Sequence, residues 1–449
     1  MVKQFRVRRP SPWDSRDLLP LQLAPERQSA LRLCIITQFY PPDYAATGQL
    51  IEDLAHHLGR RNIQVEVFTG QPGYAFDRAS APAVEQLGPV VVTRSHLSRL
   101  WPQRIRGKTV NGLLFCLRAG LYLLRASRRC DILLLTTAPP FLQILGYLAN
   151  LCFGIPFVCL LYDLYPDIAI KLGVVSPHHW MACFWQKMNR LIWRRAEEII
   201  VLSSTMKRRV MAHCPEVKDK ITVIHNWADP AQITPIEKPR NWFAWKYSLV
   251  EPFVVLYSGN MGRCHDMATI LAAASHLQQQ PIQFVFIGDG AQRSVCLEQV
   301  ERLGLENCRF LPYQDRETLP YSLTACDLSL VSIRADVEGL VAPSKFYSAL
   351  AAGRPVAVIC EKRSYLRRVV MKVGCGAAFE NGDGTGLAEF IRYLSTDSQM
   401  AGRMGRRGRR CVEAKFSPEV CTERYAEVLW GAISRGRVSK SSMSRGIFR

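Results

Sequence analysis

The sequence predicts an α/β protein built from two parallel-sheet domains, and two observations carry that prediction. Short apolar runs rich in branched side chains, such as residues 31–37, alternate with segments of helical periodicity. A proline-containing stretch without a clear period, residues 229–242, interrupts this alternation before it begins again. At about 150 residues per domain, a chain of 449 residues has room for two such units.

In the first series, a strand at 31–37 is followed by a turn, a helix with Leu50, Leu54 and Leu58 on one face, and a strand at 63–70. This is the opening of a Rossmann-like sheet. The runs VVVTRS, DILLLTT, FVCLLYD, EEIIVLSS and ITVIHNWAD continue it. We therefore predict a first Rossmann-like domain at residues 31–230, which the resemblance described below implies to be the acceptor-side domain.

The second series alternates in the same way and predicts a second Rossmann-like domain at residues 231–415. Its strand candidates are PFVVLYS, IQFVFIG, CRFLPYQ, DLSLVSI and PVAVIC. Open α/β sheets bind ligands beyond the carboxyl ends of their strands. Two such edges that face each other across a cleft can hold a donor and an acceptor.

The two ends of the chain have a different composition. Residues 1–30 are basic, lack the apolar region of a secretory signal and predict a flexible extension. Residues 416–449 predict a C-terminal helix followed by a basic tail. Both ends suit contact with anionic lipid, and both equally suit a solubilising role.

One stretch, residues 141–161, has no charged residue and is long enough to span a bilayer. Gly154 and Pro156 interrupt it. The pattern therefore favours a helix, a short turn and a buried strand over a membrane span.

Composition excludes a disordered, collagenous or coiled-coil chain, since 48% of residues are hydrophobic and 21% charged. The formal net charge of +20 predicts an anionic partner, and nucleic acid, an anionic membrane and phosphorylated substrates all fit. The 15 cysteines are scattered without CxxC spacing, which is typical of small core side chains in a reducing, cytoplasmic compartment.

The first candidate phosphate site follows the first strand of the second domain. Asn260, Gly262 and Arg263 occupy this turn, where small residues clear space and a guanidinium matches phosphate oxygens. A solvated surface arginine is the alternative. In the turn after the next strand, the backbone of Gly288 and Asp289 suits contact with a nucleotide base, although Asp289 fits a simple turn equally well.

The segment 336–359 is the most specific in the chain. Ser344 is placed to cap a helix that starts with Lys345. A cation there opposes the helix dipole, and a bound phosphate would remove that conflict.

Two candidates belong to the first domain. Gly48 precedes the first helix, where a missing side chain lets backbone approach a ligand. Asp163 ends a buried strand, where it could orient or deprotonate an acceptor hydroxyl. A helix N-cap or a turn carboxylate is the alternative.

Taken in order, these segments resemble the glycosyltransferases of family 4, the large retaining group-1 class with the GT-B fold. The similarity is to members that resemble colanic-acid and O-antigen sugar transferases, and it covers roughly residues 31–430. The motifs that carry it are ITQFYPPDYAATGQLIEDLAHHL, TTAPPFLQILGYLANLCFGIPFVCLLYDLYPD, VIHNWAD, YSGNMGRCHD, FIGDG, EGLVAPSKFYSALAAGRPV and GRRGRRCVEAKFS.

The resemblance implies that the second domain binds the diphosphate of a sugar nucleotide, a co-substrate, without metal or cofactor. Arg263 and Lys345 fall where the family neutralises diphosphate, and positive side chains would stabilise its departure. Gly48 falls in the loop that lines the donor sugar and phosphate, and Asp163 falls at the acceptor side.

The sequence departs from the family at its paired glutamates. Ser348 occupies the register of the second glutamate. Glu338 lies near the place of the first but out of register with it, and the resemblance makes it a candidate donor contact. The group that binds the ribose is therefore left unassigned, and an inactive regulatory relative is an alternative.

The expected function is retaining transfer from a nucleoside-diphosphate sugar, UDP-linked, to a lipid-linked or growing saccharide in envelope or exopolysaccharide synthesis. A UDP-sugar epimerase, which needs no acceptor, is one alternative. A nucleic-acid-binding protein is another, but no RNP, helix-turn-helix or zinc motif supports it, so we expect no nucleic-acid partner.

Residues 99–124 are basic and apolar in character. They predict a helix with a face on anionic lipid, at the inner face of the cytoplasmic membrane, or a helix that faces the core with solvated arginines.

Overall fold

The computed structural model describes residues 31–43, 45–72, 81–95, 105–127 and 129–446, and within these it gives no side-chain placement for 105–109 and 436–446. The predicted extension, residues 1–30, lies outside the described residues. So do 99–104 of the predicted lipid-facing helix and the last three residues of the predicted tail.

The first domain is an α/β layered unit. Its strands are β1 Leu31–Ile36, β2 Ile63–Thr69, β3 Val84–Leu87, β4 Val90–Arg94, β5 Ile132–Leu135, β6 Phe157–Leu161, β7 Glu198–Val201 and β8 Ile221–Val223. Its helices are α1 Ala46–Gly59, α2 Ile105–Ala126, α3 Gln143–Phe153, α4 Asp167–Lys171, α5 Trp180–Arg195 and α6 Ser204–His213.

Within the described residues these strands form one sheet in the order β3-β4-β2-β1-β5-β6-β7-β8. All neighbours are parallel except β3 and β4. The central strands are buried on both faces, as continuous apolar runs require.

The second domain repeats this architecture. Its strands are β9 Phe253–Ser258, β10 Ile282–Ile287, β11 Cys308–Leu311, β12 Leu328–Ser332, β13 Val356–Ile359 and β14 Gly376–Phe379, in the parallel order β11-β10-β9-β12-β13-β14. Its helices are α7 Trp242–Lys246, α8 Ala268–His276, α9 Arg293–Arg302, α10 Leu319–Thr324, α11 Lys345–Ala351, α12 Tyr365–Val373, α13 Gly384–Thr396 and α14 Ser398–Lys415.

The last helix, α15 Pro418–Gly446, returns to the first domain. Tyr425 and Leu429 are buried in one cluster with Ile51 and Leu54 of α1. The helix therefore packs on the first sheet, and its backbone continues into the segment predicted as a tail.

The uncharged stretch 141–161 folds as helix α3 followed by strand β6, as predicted. Gly154 ends the helix in the left-handed conformation with φ +64°, which glycine adopts without a side-chain penalty. Across the part of the chain that is described, no helix combines the length and apolarity that crossing a bilayer requires.

Candidate active site

The carboxyl ends of β9, β10 and β11 lie together and form the floor of the candidate donor site. The Gly259 amide donates to the Ile287 carbonyl at 2.8 Å, and the Gly288 amide donates to the Leu311 carbonyl at 3.0 Å. A Cβ on Gly288, which has φ +129°, would lie 2.4 Å from the Gly259 oxygen. The turns after the strands therefore approach so closely that only glycine fits there.

Asn260 and Asp289 are exposed on these turns. The Met261 amide donates to the Asp289 carbonyl at 2.8 Å, which joins the two turns. The Asp289 carboxylate accepts from the amide of Gly290 at 2.8 Å. This is a local turn contact of the kind the sequence left open for this residue.

Lys345 points into the same edge of the sheet. Its Nζ donates to the Tyr257 hydroxyl at 2.5 Å and to the Asn260 carbonyl at 3.1 Å. Burial lowers the pKa of Lys345 to about 7, because no carboxylate among the described residues forms a salt bridge with it. This partly buried cation has no carboxylate partner among the described residues, an environment that a phosphate would complete.

The predicted capping role of Ser344 is wrong. Ser344 occupies the N-cap position with helical dihedrals, φ −63° and ψ −31°, and its side chain accepts no capping hydrogen bond. Capping requires an extended N-cap backbone that turns the hydroxyl toward the helix. Helix α11 has only seven residues, so the lysine side chain and not the helix end supplies the positive charge.

Arg263 is exposed beside Gly262 in the turn after β9. Among the described residues its guanidinium makes no hydrogen bond, while its carbonyl accepts from Arg334 at 3.4 Å. Gln292 holds the turn, since its Nε2 donates to the carbonyls of Gly262 at 2.6 Å and His265 at 2.9 Å. The guanidinium is thus free to meet an anion on an ordered turn.

His265 lies behind this turn and is neutral. Burial and the nearby Lys345 charge lower its pKa to about 3. Its Nδ1 lies 2.8 Å from the Ser332 carbonyl, so Nδ1 carries the proton. This contact anchors the turn after β9 to the end of β12.

Asp163 lies just beyond β6, on the first domain. The Thr137 hydroxyl accepts the amides of Tyr162 at 3.1 Å and Asp163 at 3.2 Å, which fixes the end of the strand. Burial raises the pKa of the Asp163 carboxyl to about 6.

The same carboxylate reaches the second domain electrostatically. Burial and then the Asp163 charge raise the pKa of Cys264 to about 11. Cys264 is the neighbour of Arg263, so Asp163 of the first domain lies near the turn after β9 of the second domain.

Gly48 is not placed as predicted. It lies inside the first turn of α1 and is buried, and a Cβ there would lie 3.1 Å from the backbone of Phe39 and Tyr40. Its missing side chain makes room for the chain's own loop after β1 and not for a ligand.

Glu338, a predicted donor contact, is a buried acid near the junction of the two domains, and its donor contact stays a prediction. It is 5% exposed, and burial raises its pKa, with the hydroxyls of Ser364 and Thr205 opposing the rise. Arg209 Nε donates to the Glu338 carbonyl at 3.1 Å. This contact holds the segment against the first domain, and the buried carboxylate lies near Ser364 of the second domain and Thr205 of the first.

Sequence patterns missed three residues that organise the site: Thr137, Gln292 and Arg316. Arg316 of the second domain pairs with Glu52 at 2.8 Å and Asp53 at 3.4 Å on α1, and so ties the two domains at one end of the cleft. Each of the three contacts segments that are distant in the sequence, and no local motif predicts such contacts.

In the described ranges no three His, Cys, Asp or Glu side chains come together as a metal-binding group. The expectation that the reaction needs no metal stays a prediction.

Two family models match the chain in succession. "Glycosyltransferase Family 4" matches residues 47–232, and "Glycosyl transferases group 1" matches residues 243–411. Each therefore covers one of the two domains, and together they take in most of the chain.

Two relatives are named as glycosyltransferases. The probable glycosyltransferase WbjE of Pseudomonas aeruginosa is 25% identical over 70% of this chain and 77% of its own length. The putative colanic acid biosynthesis glycosyl transferase WcaI of Escherichia coli is 31% identical over 24% of this chain and 26% of its own.

Solved structures share the fold at low identity. Sucrose-phosphate synthase from Thermosynechococcus elongatus superimposes with a TM-score of 0.72 at 18% identity, covering 90% of this chain and 100% of that one. HepE from Anabaena, in complex with UDP and glucose, gives 0.67 at 16%, covering 89% and 99%. With both domains matched in sequence and in architecture, the chain belongs to the group-1 glycosyltransferases of family 4, with the GT-B fold.

Proposed function

We propose that this glycosyltransferase takes its sugar from a UDP-linked donor and retains the anomeric configuration. The observation that carries the donor proposal is Lys345, a partly buried ammonium with a lowered pKa and no carboxylate partner among the described residues. HepE, which shares the fold, was solved with UDP and glucose.

In this proposal the two cations of the second domain hold the diphosphate. Lys345 is fixed by Tyr257 and by the Asn260 carbonyl, and Arg263 adds a planar pair of donors from the neighbouring turn. Their charge opposes the negative charge that develops on the departing diphosphate. We propose that they act without a metal and that the protein needs no cofactor.

The acceptor binds on the opposite side of the cleft in this scheme. Asp163, whose pKa burial raises to about 6, orients the acceptor hydroxyl and accepts its proton. We propose a lipid-linked or growing saccharide as acceptor, in envelope or exopolysaccharide synthesis, because the relatives WbjE and WcaI carry glycosyltransferase names and WcaI is described in colanic acid biosynthesis. A peripheral position at the inner face of the cytoplasmic membrane follows from such an acceptor.

A thermal-shift panel of sugar nucleotides tests the donor proposal. UDP and the correct UDP-sugar should raise the melting temperature of the wild type, since a ligand at about 100 times its Kd adds about 2.7 kcal/mol. Arg263→Ala should reduce this shift. Arg302→Ala, which removes an exposed arginine of α9, is the matched control and should leave it unchanged.

Equal shifts in all three proteins would refute the phosphate role of Arg263, and no shift with any nucleotide would refute the donor class. With the correct donor and an acceptor, NMR of the product then gives the anomeric configuration. The same reaction with EDTA tests metal independence. Donor incubated alone separates transfer from epimerisation.

A further inference from the structure

Helix α2 is apolar on two opposite faces. Phe115, Ala119 and Leu123 are buried in the core of the first domain. A second stripe of leucines points outward, with side chains 52% to 62% exposed: Leu113, Leu117, Leu121 and Leu124. A soluble helix normally carries polar residues on its outer face, so this stripe requires a partner.

The exposed apolar surface continues onto two neighbouring helices. Helix α2 packs against α3, and α3 packs against α5. The exposed apolar side chains of these neighbours are Leu148, Leu151 and Phe153 on α3 and Trp180, Phe184 and Leu191 on α5. We call the exposed side of α2, α3 and α5 the three-helix face. Contiguous apolar surface of this kind marks an interaction site.

The charge of the three-helix face is of one sign. The sequences of α2, α3 and α5 contain no aspartate or glutamate. Arg125, Lys187 and Arg190 are exposed on them, and Lys187 lies on the same side of α5 as Trp180, Phe184 and Leu191 by helical spacing. Apolar side chains among cations, without anions, complement a bilayer with anionic headgroups.

We propose that the three-helix face docks this enzyme on an anionic membrane surface. The leucines, Trp180 and Phe184 enter the boundary between headgroups and acyl chains, and the arginines and lysine meet the lipid phosphates. A protein partner would present its own acidic groups and a matching shape, whereas one sign of charge spread over three helices suits a fluid anionic surface.

The three-helix face lies close to the acceptor side of the cleft. The assignment of that side to the acceptor rests on the proposed function. A small, mostly apolar depression lies between α3 and α5, lined by Phe141, Phe184 and Trp185 among others. Trp185 stacks on Tyr165 at 5.5 Å, and Asn189 donates to the Tyr165 carbonyl at 2.6 Å. Tyr165 follows Asp163 by two residues, so an acceptor held in the bilayer would approach from this side.

Flotation with lipid vesicles tests the proposal. The full chain should float with vesicles of phosphatidylglycerol and phosphatidylcholine and much less with phosphatidylcholine alone. Raising the ionic strength about threefold above the physiological value, where the Debye length is about 8 Å, should weaken the binding. Leu117→Glu/Leu121→Glu should reduce the bound fraction at least tenfold. The control Val295→Glu/Leu303→Glu changes two exposed apolar residues of the second domain, 49% and 48% exposed, and should float as wild type does.

A second variant, Lys187→Glu/Arg190→Glu, should lose the preference for anionic vesicles. All variants should bind UDP like the wild type in calorimetry, which shows that they fold and separates this inference from the donor proposal. The proposal is overturned if the wild type does not float with anionic vesicles, or if the leucine variant floats like the control. It is also overturned if the leucine variant instead converts a dimer to a monomer, which would make the face a contact between two copies.

Discussion

The ammonium nitrogen of Lys345 lies 4.0 Å from the centroid of the Tyr257 ring. A ring face and neutral oxygens attract a cation, but they compensate its lost hydration less than a carboxylate would. The donor site therefore holds a charge that costs stability until an anion binds.

Replacement of this lysine by methionine should stabilise the free protein. The pKa of Lys345 falls from the ordinary lysine value of 10.5 in the unfolded chain to about 7 in the fold, so unfolding takes up a proton between these values. Wild-type stability therefore falls as the pH drops from about 10 to about 7 and stays low below that. The melting temperature of Lys345→Met should exceed that of wild type by more at pH 6 than at pH 9.

Added UDP should reverse this order at pH 6, because the variant keeps Arg263 but lacks the second cation that holds the diphosphate. Loss of a charged hydrogen bond of about 1.5–3 kcal/mol predicts UDP affinity lower by about 10- to 150-fold in calorimetry. Lys362→Met removes a lysine that is 74% exposed and serves as the control. A melting difference that does not change with pH would contradict the burial of the Lys345 charge.

Asp163→Asn should remove one limb of the pH–rate profile. Since burial raises the pKa of this carboxyl to about 6, wild-type transfer at saturating donor should rise with pH up to about 6 and then level off. The variant should lose about 10²- to 10⁴-fold in rate, the usual contribution of a general base, and the remaining rate should be flat between pH 5 and 8.

Asp167→Asn is the matched control on the same segment, since Asp167 pairs with His213 at 2.8 Å and should not shape the rate profile. If Asp163→Asn kept the wild-type rise near pH 6, another group would be responsible for the proton.

Gly290→Ala should damage the donor site by contact and not by backbone strain alone. A Cβ on Gly290, which has φ +145°, would lie 2.3 Å from Asn260 Oδ1 and 2.6 Å from Met261 backbone atoms. The turn after β9 must shift, and UDP affinity should fall at least tenfold. Gly304→Ala has positive φ, +60°, but nothing within 4 Å of the added methyl, so it tests strain without the contact. Equal UDP affinity in the two variants would mean that the turn tolerates the shift.

The parts of this molecule that sequence predicts are those in which one local pattern decides the structure. Continuous apolar runs give the central strands, and parallel strands bring their carboxyl ends to one edge, so Asn260 and Gly288 come together as expected. The short strands β3 and β14, with sequences VEQL and GAAF, lack such a run and were not predicted.

The failures concern residues whose neighbours come from distant segments. Gly48 faces the loop after β1, and Ser344 has the wrong dihedrals for a cap. The outward leucines of α2 were visible in the sequence, but a helix can bury either face. Only the packing of Phe115 and Leu123 decides that the leucine stripe is left exposed.

Replacement of Glu338 by glutamine tests whether this buried carboxylate affects only the stability of the fold or also the binding of the donor. Burial raises its pKa above the ordinary 4.5, so the folded chain keeps a proton that the unfolded chain releases, and stability falls as the pH rises through that interval. Neither carboxylate oxygen has a hydrogen bond of good geometry. Glu338→Gln cannot ionise, and its melting temperature should exceed that of wild type by more at pH 8 than at pH 4. Glu298→Gln, on the exposed side of α9, should show no such dependence.

Because the Glu338 carboxylate lies at the domain junction, affinity of Glu338→Gln for UDP and for the UDP-sugar should stay within about twofold of wild type, a difference of about 0.4 kcal/mol. A tenfold loss of UDP-sugar affinity with unchanged melting would instead return Glu338 to the donor site that the family pattern implies.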